Sequence, residues 1–261
     1  MRYEILGPLR VVDEGRQTFI SARKIEIVLT TLLIRSGQIV TPDQLMEEIW
    51  GYNPPRRATA GLHVYISQVR KFLHRPWQTE NPIVTRPPGY LLRQGADEVD
   101  YQLFLELIEQ GRTLMRQRRP EEASALLERA IGLWRGPALG DPRGGPILEG
   151  FATRMMESRL ECLEMLADAQ LEMGRHRELV GRLYSLVAEH PLCEAFYRQL
   201  MLALYRSERQ ADALEVYQTA RRTLNEELGL EPCQALRDLQ AAILAADDQL
   251  HLHGSSFAAA S

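Results

Sequence analysis

The chain has 261 residues, 45% of them hydrophobic and 25% charged, which excludes disorder as the main state and suits two domains of about 100 to 200 residues each. The formal net charge of −4 hides an asymmetry: residues 1–95 hold 13 Lys and Arg against 8 Asp and Glu, net +5, and the remainder holds 18 against 27, net −9, the signature of a basic binding module fused to an acidic one. The opening MRYEILGPLRVV lacks the apolar core of a signal peptide, and the longest apolar run, Ile25 to Ile34, falls well short of the roughly 20 residues that span a bilayer, so a soluble, cytoplasmic protein without a membrane partner is expected.

Tyr3 to Val12 and Gln17 to Ile20 are β-rich pieces separated by turn chemistry at Asp13-Glu14-Gly15, which predicts a short meander at the N-terminus. The period then becomes helical. Lys24 to Arg35 is apolar on nearly every face and is followed by Ser36-Gly37, predicting a central, largely buried helix with a glycine stop. Thr41-Pro42-Asp43-Gln44 supplies an N-cap, a proline at the first helical position and a glutamine three residues after the cap; Leu45, Ile49 and Trp50 follow at helical spacing, and Gly51 ends the helix. After Pro54-Pro55 a longer helix is predicted from about Arg57 to His74, with Leu62, Ile66, Val69 and Leu73 as its core stripe. Ile83 to Arg86, the turn Pro87-Pro88-Gly89 and Tyr90 to Arg93 make a hairpin. Strands, three helices and a terminal hairpin are the order of a winged helix, assigned to residues 1–95.

From Val99 to about Ala246 every segment reads as helix, with breaks at Arg119-Pro120, Gly136 to Pro146, Gly174, His190-Pro191 and Gly229 to Pro232. Gly174-Arg175-His176 precedes Leu179 and Leu183, and 34 residues later Glu208-Arg209-Gln210 precedes Ala213 and Tyr217, the period of tetratricopeptide repeats. Such repeats bury a core only by stacking. The expected fold class is therefore mainly α: an N-terminal winged helix-turn-helix (α+β), then an all-α tetratricopeptide-like repeat domain over 97–246. Residues 247–261 lose periodicity and are expected to form a frayed or disordered tail.

The helix from Arg57 carries the functional signal. Opposite its apolar stripe stand Arg57, Ala60, Val64, Ser67, Gln68 and Lys71, with His63 and Arg70 alongside. No carboxylate occurs from Arg56 to Arg75, whereas an ordinary solvated face mixes both signs; a purely basic and neutral face suits phosphates. Gln68 can bridge adenine N6 and N7, Val64 suits a thymine methyl, and Ser67 can donate or accept, so these three are candidate base readers. Arg57, Arg70, Lys71 and Arg75 fit phosphate contacts. His63 and Tyr65 suit either role or simple packing. Arg86, just before the hairpin tip, would enter an adjacent minor groove.

Enzymatic readings find little support. There is no G-x-x-x-x-G-K-[ST], G-x-S-x-G or H-E-x-x-H, so no catalytic residue is assigned. Cys162, Cys193 and Cys233 form no metal spacing and are expected to be buried free thiols; no metal or cofactor is expected. The Gly-rich stretch Gly136 to Gly150 lacks the flanking strand and lysine of a phosphate cradle and reads as a helix connector. The competing reading is a helical-repeat scaffold that captures a peptide or small ligand while the winged helix docks protein. A docking module has no reason to exclude Asp and Glu from so long a helix.

These residues carry a resemblance that covers nearly the whole chain. RKIEIVLTTLLIRSGQIVTPDQLMEEIWG, HVYISQVRKFL and VTRPPGYLL are similar to OmpR/PhoB-type winged helices, and LWRGPALGD, EMGRHRELV, LVAEHPLCE, LMLALYRSERQADALEVY and LNEELGLEP resemble the bacterial transcriptional activation domain. The chain thus resembles a small member of the Streptomyces antibiotic regulatory protein family. The resemblance implies a pathway-specific activator, binding promoter direct repeats in double-stranded DNA as a head-to-tail pair and recruiting RNA polymerase through its sigma factor and other subunits. The chain departs from the family at Gln68, where Arg is common, and at the Pro87-Pro88 tip.

Overall fold

The computed structural model describes residues 1–75, 80–93, 95, 97–140, 144–247 and 250. Most of the expected tail, and Asp141 of LWRGPALGD, lie outside the described residues. The chain divides into two compact units, Met1–Ile108 with Arg129–Leu160, and Glu109–Glu128 with Glu161–Ser261.

The first unit opens on strands β1 (Arg2–Glu4), β2 (Arg10–Asp13) and β3 (Arg16–Thr18). They form a sheet of order β3-β2-β1-β7, in which β7 (Glu98–Val99) runs parallel to β1. The run expected from Tyr3 to Val12 is split for a definable reason. Ile5 N–H lies 2.8 and 2.9 Å from the two carboxylate oxygens of buried Asp100, and Leu6 N–H donates to Oδ2 at 3.0 Å. The carbonyls of Ile5 and Leu6 accept from the N–H groups of Leu139 and Arg135. With these backbone groups satisfied elsewhere, the strand ends without leaving an unpaired buried group.

Helix α1 (Arg23–Ile34) buries every residue from Ile27 to Leu33, each large aliphatic contributing about 1.5 to 3 kcal/mol. Helix α2 (Pro42–Trp50) begins with the expected capping box: Thr41 Oγ1 accepts from Gln44 N–H at 3.3 Å, and Gln44 Oε1 accepts from Thr41 N–H at 3.0 Å, worth about 1 kcal/mol. Helix α3 (Ala58–Phe72) follows, then strands β5 (Ile83–Arg86) and β6 (Gly89–Leu92). A two-residue strand β4 (Ile39–Val40), not anticipated from the sequence, pairs with β6 to give the order β4-β6-β5. Gly89 permits this pairing, because a Cβ there would stand 2.1 Å from the Val40 carbonyl oxygen.

Helices α4 (Asp100–Arg116) and α5 (Pro120–Ile131), a 3-10 turn at Ala138–Gly140 and helix α6 (Pro146–Glu172) follow in the chain. Within the first unit Trp134 meets Phe104 edge-on at 5.3 Å, and Tyr101 meets Phe151 at 5.1 Å.

The second unit contains α7 (His176–Glu189), α8 (Glu194–Arg206), α9 (Gln210–Leu228) and α10 (Gln234–Leu244). Its core includes Leu179, Leu183, Phe196, Leu200, Leu204, Ala213, Tyr217, Leu224, Leu236 and Ile243. Gly229 ends α9 in the left-handed region at φ 68°, donating to Asn225 O, while Leu230 N–H reaches Leu224 O. The fold is thus mainly α, with an α+β winged helix first and stacked helical hairpins after it. All three cysteines are free, but only Cys162 is buried. Cys193 is half-buried and Cys233 exposed, correcting the expectation of buried thiols: Cys233 precedes α10 as its N-cap, where the chain runs at the surface. Among the described residues no helix is long and apolar enough to cross a membrane.

Candidate nucleic-acid interface

Helix α3 is amphipathic in the sense the sequence indicates. Ala58, Leu62, Ile66, Val69 and Leu73 are buried, and Arg57, Ala60, His63, Val64, Ser67, Gln68 and Lys71 are exposed. Val64 is 52% exposed, so its apolar side chain belongs to the surface and not to the core. Arg57, Lys71 and Arg86 form no ion pair among the described residues. Exposed cations held away from carboxylates keep their full attraction for phosphate.

Tyr65 lies half-buried, its ring tilted against Trp50 at 6.0 Å. Trp50 in turn receives the Lys24 ammonium at 5.3 Å from its ring centroid. Tyr65 therefore packs, on the side of α3 that meets α2.

Arg70 is turned toward the hairpin. Its Nε donates to the Ile83 carbonyl at 3.1 Å and its Nη2 to the Thr85 hydroxyl at 2.8 Å. Asn81 adds a second tie, donating from Nδ2 to the Arg70 carbonyl at 3.1 Å and accepting from Ile83 N–H at 3.0 Å. The hairpin that carries Arg86 is thus fixed to the C-terminal half of α3. Arg86 itself is exposed and pairs in register with Gly89 across the tip.

Arg75 is engaged in the opposite direction. Its Nη2 donates to Asp97 Oδ1 at 2.7 Å, and the two side chains are only 14% and 12% exposed. The Met1 ammonium reaches the same oxygen at 2.7 Å. Burial opposes the charge on Arg75, but the bond and attraction of Asp97, with Asp13 and Tyr3, leave it more basic than usual.

The structure therefore gathers Arg57, His63, Val64, Ser67, Gln68 and Lys71 on one exposed face, with Arg86 on the hairpin. Arg70 and Arg75 are occupied within the fold. Sequence reading missed the Lys24–Trp50 contact, which no spacing rule connects, and Asn81, for which Asn81-Pro82 offered a turn signal. No group of three His, Cys, Asp or Glu able to hold a metal occurs among the described residues.

Comparison with known proteins matches both regions of the chain. Residues 16–92 match the family described as transcriptional regulatory protein, C terminal, and residues 99–244 match the bacterial transcriptional activator domain. The chain is 36% identical to the regulatory protein DnrI of Streptomyces peucetius, over 100% of this chain and 98% of that protein. It is also 36% identical to the regulatory protein AfsR of Streptomyces griseus over 96% of this chain, and there it spans only 25% of the longer relative. The solved structure of Mycobacterium tuberculosis EmbR, in complex with a low affinity phosphopeptide, superposes with a TM-score of 0.88 at 33% identity, over 94% of this chain and 65% of that one.

Fold and matches together define a DNA-binding transcriptional activator of the winged-helix class. Both matched regions, in this order and over nearly the full length of DnrI, place it further: the chain belongs to the Streptomyces antibiotic regulatory protein family.

Proposed function

We propose that residues 1–95 dock α3 in a major groove of promoter DNA, with the β5–β6 hairpin beside it, while residues 97–246 support paired binding and contact RNA polymerase. The observation that carries this reading is the exposed face of α3, basic and neutral throughout and free of carboxylate from Arg56 to Arg75. Gln68, Val64 and Ser67 read base edges. Arg57, Lys71 and Arg86 bind phosphate or the minor groove, and His63 lies at the same face. Arg70 and Arg75, with Tyr65, act through the fold: Arg70 by holding the hairpin, Arg75 by closing the corner at Asp97, Tyr65 by packing on Trp50.

The target is a secondary-metabolite gene cluster. Binding occurs at direct repeats near the promoter, as a head-to-tail pair that recruits polymerase through its sigma factor, in the cytoplasm at the nucleoid. No chemistry is catalysed. Footprinting of the full chain on the promoter of an adjacent gene cluster, paired with transcription by purified holoenzyme, tests this. Two protected repeats in the same orientation and chain-dependent transcript support it. Protection without transcript contradicts polymerase recruitment, and inverted half-sites contradict the head-to-tail pair.

A further inference from the structure

Glu48 stands where α2 would be expected to be apolar. It shares the buried face with Leu45 and Ile49 and is 3% exposed. Its carboxylate accepts three backbone N–H groups from one distant stretch: Gly145 at 3.0 Å, Ile147 at 2.6 Å and Leu148 at 3.2 Å. Those groups surround the start of α6, which has no intrahelical acceptor for its first-turn donors. Burial raises the Glu48 carboxyl above its ordinary range while the three N–H bonds pull it back. A carboxylate so placed is tolerable only while its three partners stay in position.

The connector is shaped to this contact. A Cβ on Gly145 would lie 2.8 Å from Glu48 Cα and 3.0 Å from the Glu47 carbonyl oxygen, so only glycine lets the two backbones approach so closely. The Gly-rich stretch that the sequence marks as a connector is in this part a joint. Two residues beyond Glu48, Trp50 meets α3: a Cβ on Gly61 would be 3.5 Å from its ring, and Tyr65 packs at 6.0 Å. Tyr65 adjoins Val64 on the exposed face.

We infer that Glu48 is a positioning residue for DNA reading, clamping α2, and through Trp50 the recognition helix, to the first turn of a helix in the activator-domain region. The inference rests on α3 being the DNA-reading helix. It makes the region matched by the activator family part of the geometry that reads DNA, so a disturbance at the start of α6 is felt at the base-reading face.

The test uses the full chain and two variants that act from opposite sides of the joint, Glu48→Gln on α2 and Gly145→Ala on the connector. Hydrogen exchange is read without DNA, at temperatures where circular dichroism shows each variant folded. Amides of α3 around Leu62 and Ile66 are expected to exchange roughly tenfold faster, the equivalent of one lost charge-assisted hydrogen bond, while those of α1 around Leu29 and Leu32 keep wild-type rates. The promoter-to-scrambled affinity ratio falls about tenfold, with the salt slope unchanged because no phosphate contact is lost. Faster exchange confined to Ile147 and Leu148, or equal acceleration of α1 and α3, overturns the inference and leaves Glu48 a helix cap alone. If Glu48→Gln does not fold, Gly145→Ala decides by the same criteria. A wild-type chain with no promoter preference would remove the DNA-reading assignment instead, and the exchange data would still judge the clamp.

Discussion

Arg70 of α3 holds the hydroxyl of Thr85 at 2.8 Å and the Ile83 carbonyl at 3.1 Å, so one guanidinium joins α3 to the hairpin. The fork geometry matters, since lysine has a single nitrogen and cannot span both acceptors as a planar fork does. Arg70→Ala is expected to lower stability by about 1 to 3 kcal/mol in urea denaturation and to weaken DNA binding through a loosened hairpin. Arg70→Lys should recover little of either. Full recovery by lysine would show that charge at this position, and not the two-point tie, is what counts.

Arg75 and Lys71 lie near the same helix end and are expected to behave differently. Lys71→Ala should reduce the slope of log affinity against log salt by roughly one unit. Arg75→Ala should leave that slope unchanged and cost about 1 to 3 kcal/mol of stability, the range for losing one hydrogen bond to a charged group and less than breaking a fully buried pair, because the contact is part-buried and Asp97 keeps the Met1 ammonium at 2.7 Å. A one-unit loss of slope in Arg75→Ala would return that residue to the phosphate contacts.

Gln68 is exposed on α3 next to Ser67 and Val64. If it bridges an adenine, Gln68→Ala costs about 1 to 3 kcal/mol at one base position and spares the rest. Affinity measured across a set of singly substituted operators reads this directly. Equal loss on specific and random DNA would remove Gln68 from the readers.

Glu26 on α1 gives a pH dependence with a definite sign. Burial raises its carboxyl above the ordinary glutamate range, against a backbone hydrogen bond from Leu9 and the charge of Arg23. The folded state therefore holds the proton more tightly than the unfolded state. Its contribution is fully present below the unfolded value and is lost as pH rises through the folded one. Glu26→Gln, which mimics the protonated form, should match wild type near pH 4 and become relatively more stable as pH rises above the ordinary glutamate range. A stability difference that does not change with pH would contradict the assignment.

Local chemistry was the legible part of this chain. Thr41-Pro42-Asp43-Gln44 announced both halves of a capping box because every atom involved lies within four residues. The stripe Leu62, Ile66, Val69 and Leu73 fixed which side of α3 is buried, and with it the exposed candidates. Glycine and proline marked most helix breaks of the repeat region, but not the one between α8 and α9, where Ser207-Glu208-Arg209 contains neither. What stayed hidden depends on partners far along the chain. β7 pairs with β1 across some 96 positions, and two residues carry no periodicity to read. Arg70 and Arg75 look like phosphate ligands until Thr85 and Asp97 are seen beside them. Glu48 reads as an ordinary solvated acid next to Glu47; its one signal was position, three residues after Leu45 and one before Ile49 on the apolar face.

The claim that α3 reads DNA is tested most directly by fluorescence-anisotropy titration of the full chain against promoter DNA from its own gene neighbourhood and against a scrambled duplex, each at several salt concentrations. Tight promoter binding, weaker scrambled binding by about a thousandfold or more, and affinity that falls steeply with salt are expected. Weak and equal binding to both duplexes would contradict sequence-specific reading by this face and favour a helical-repeat scaffold that docks protein or ligand instead.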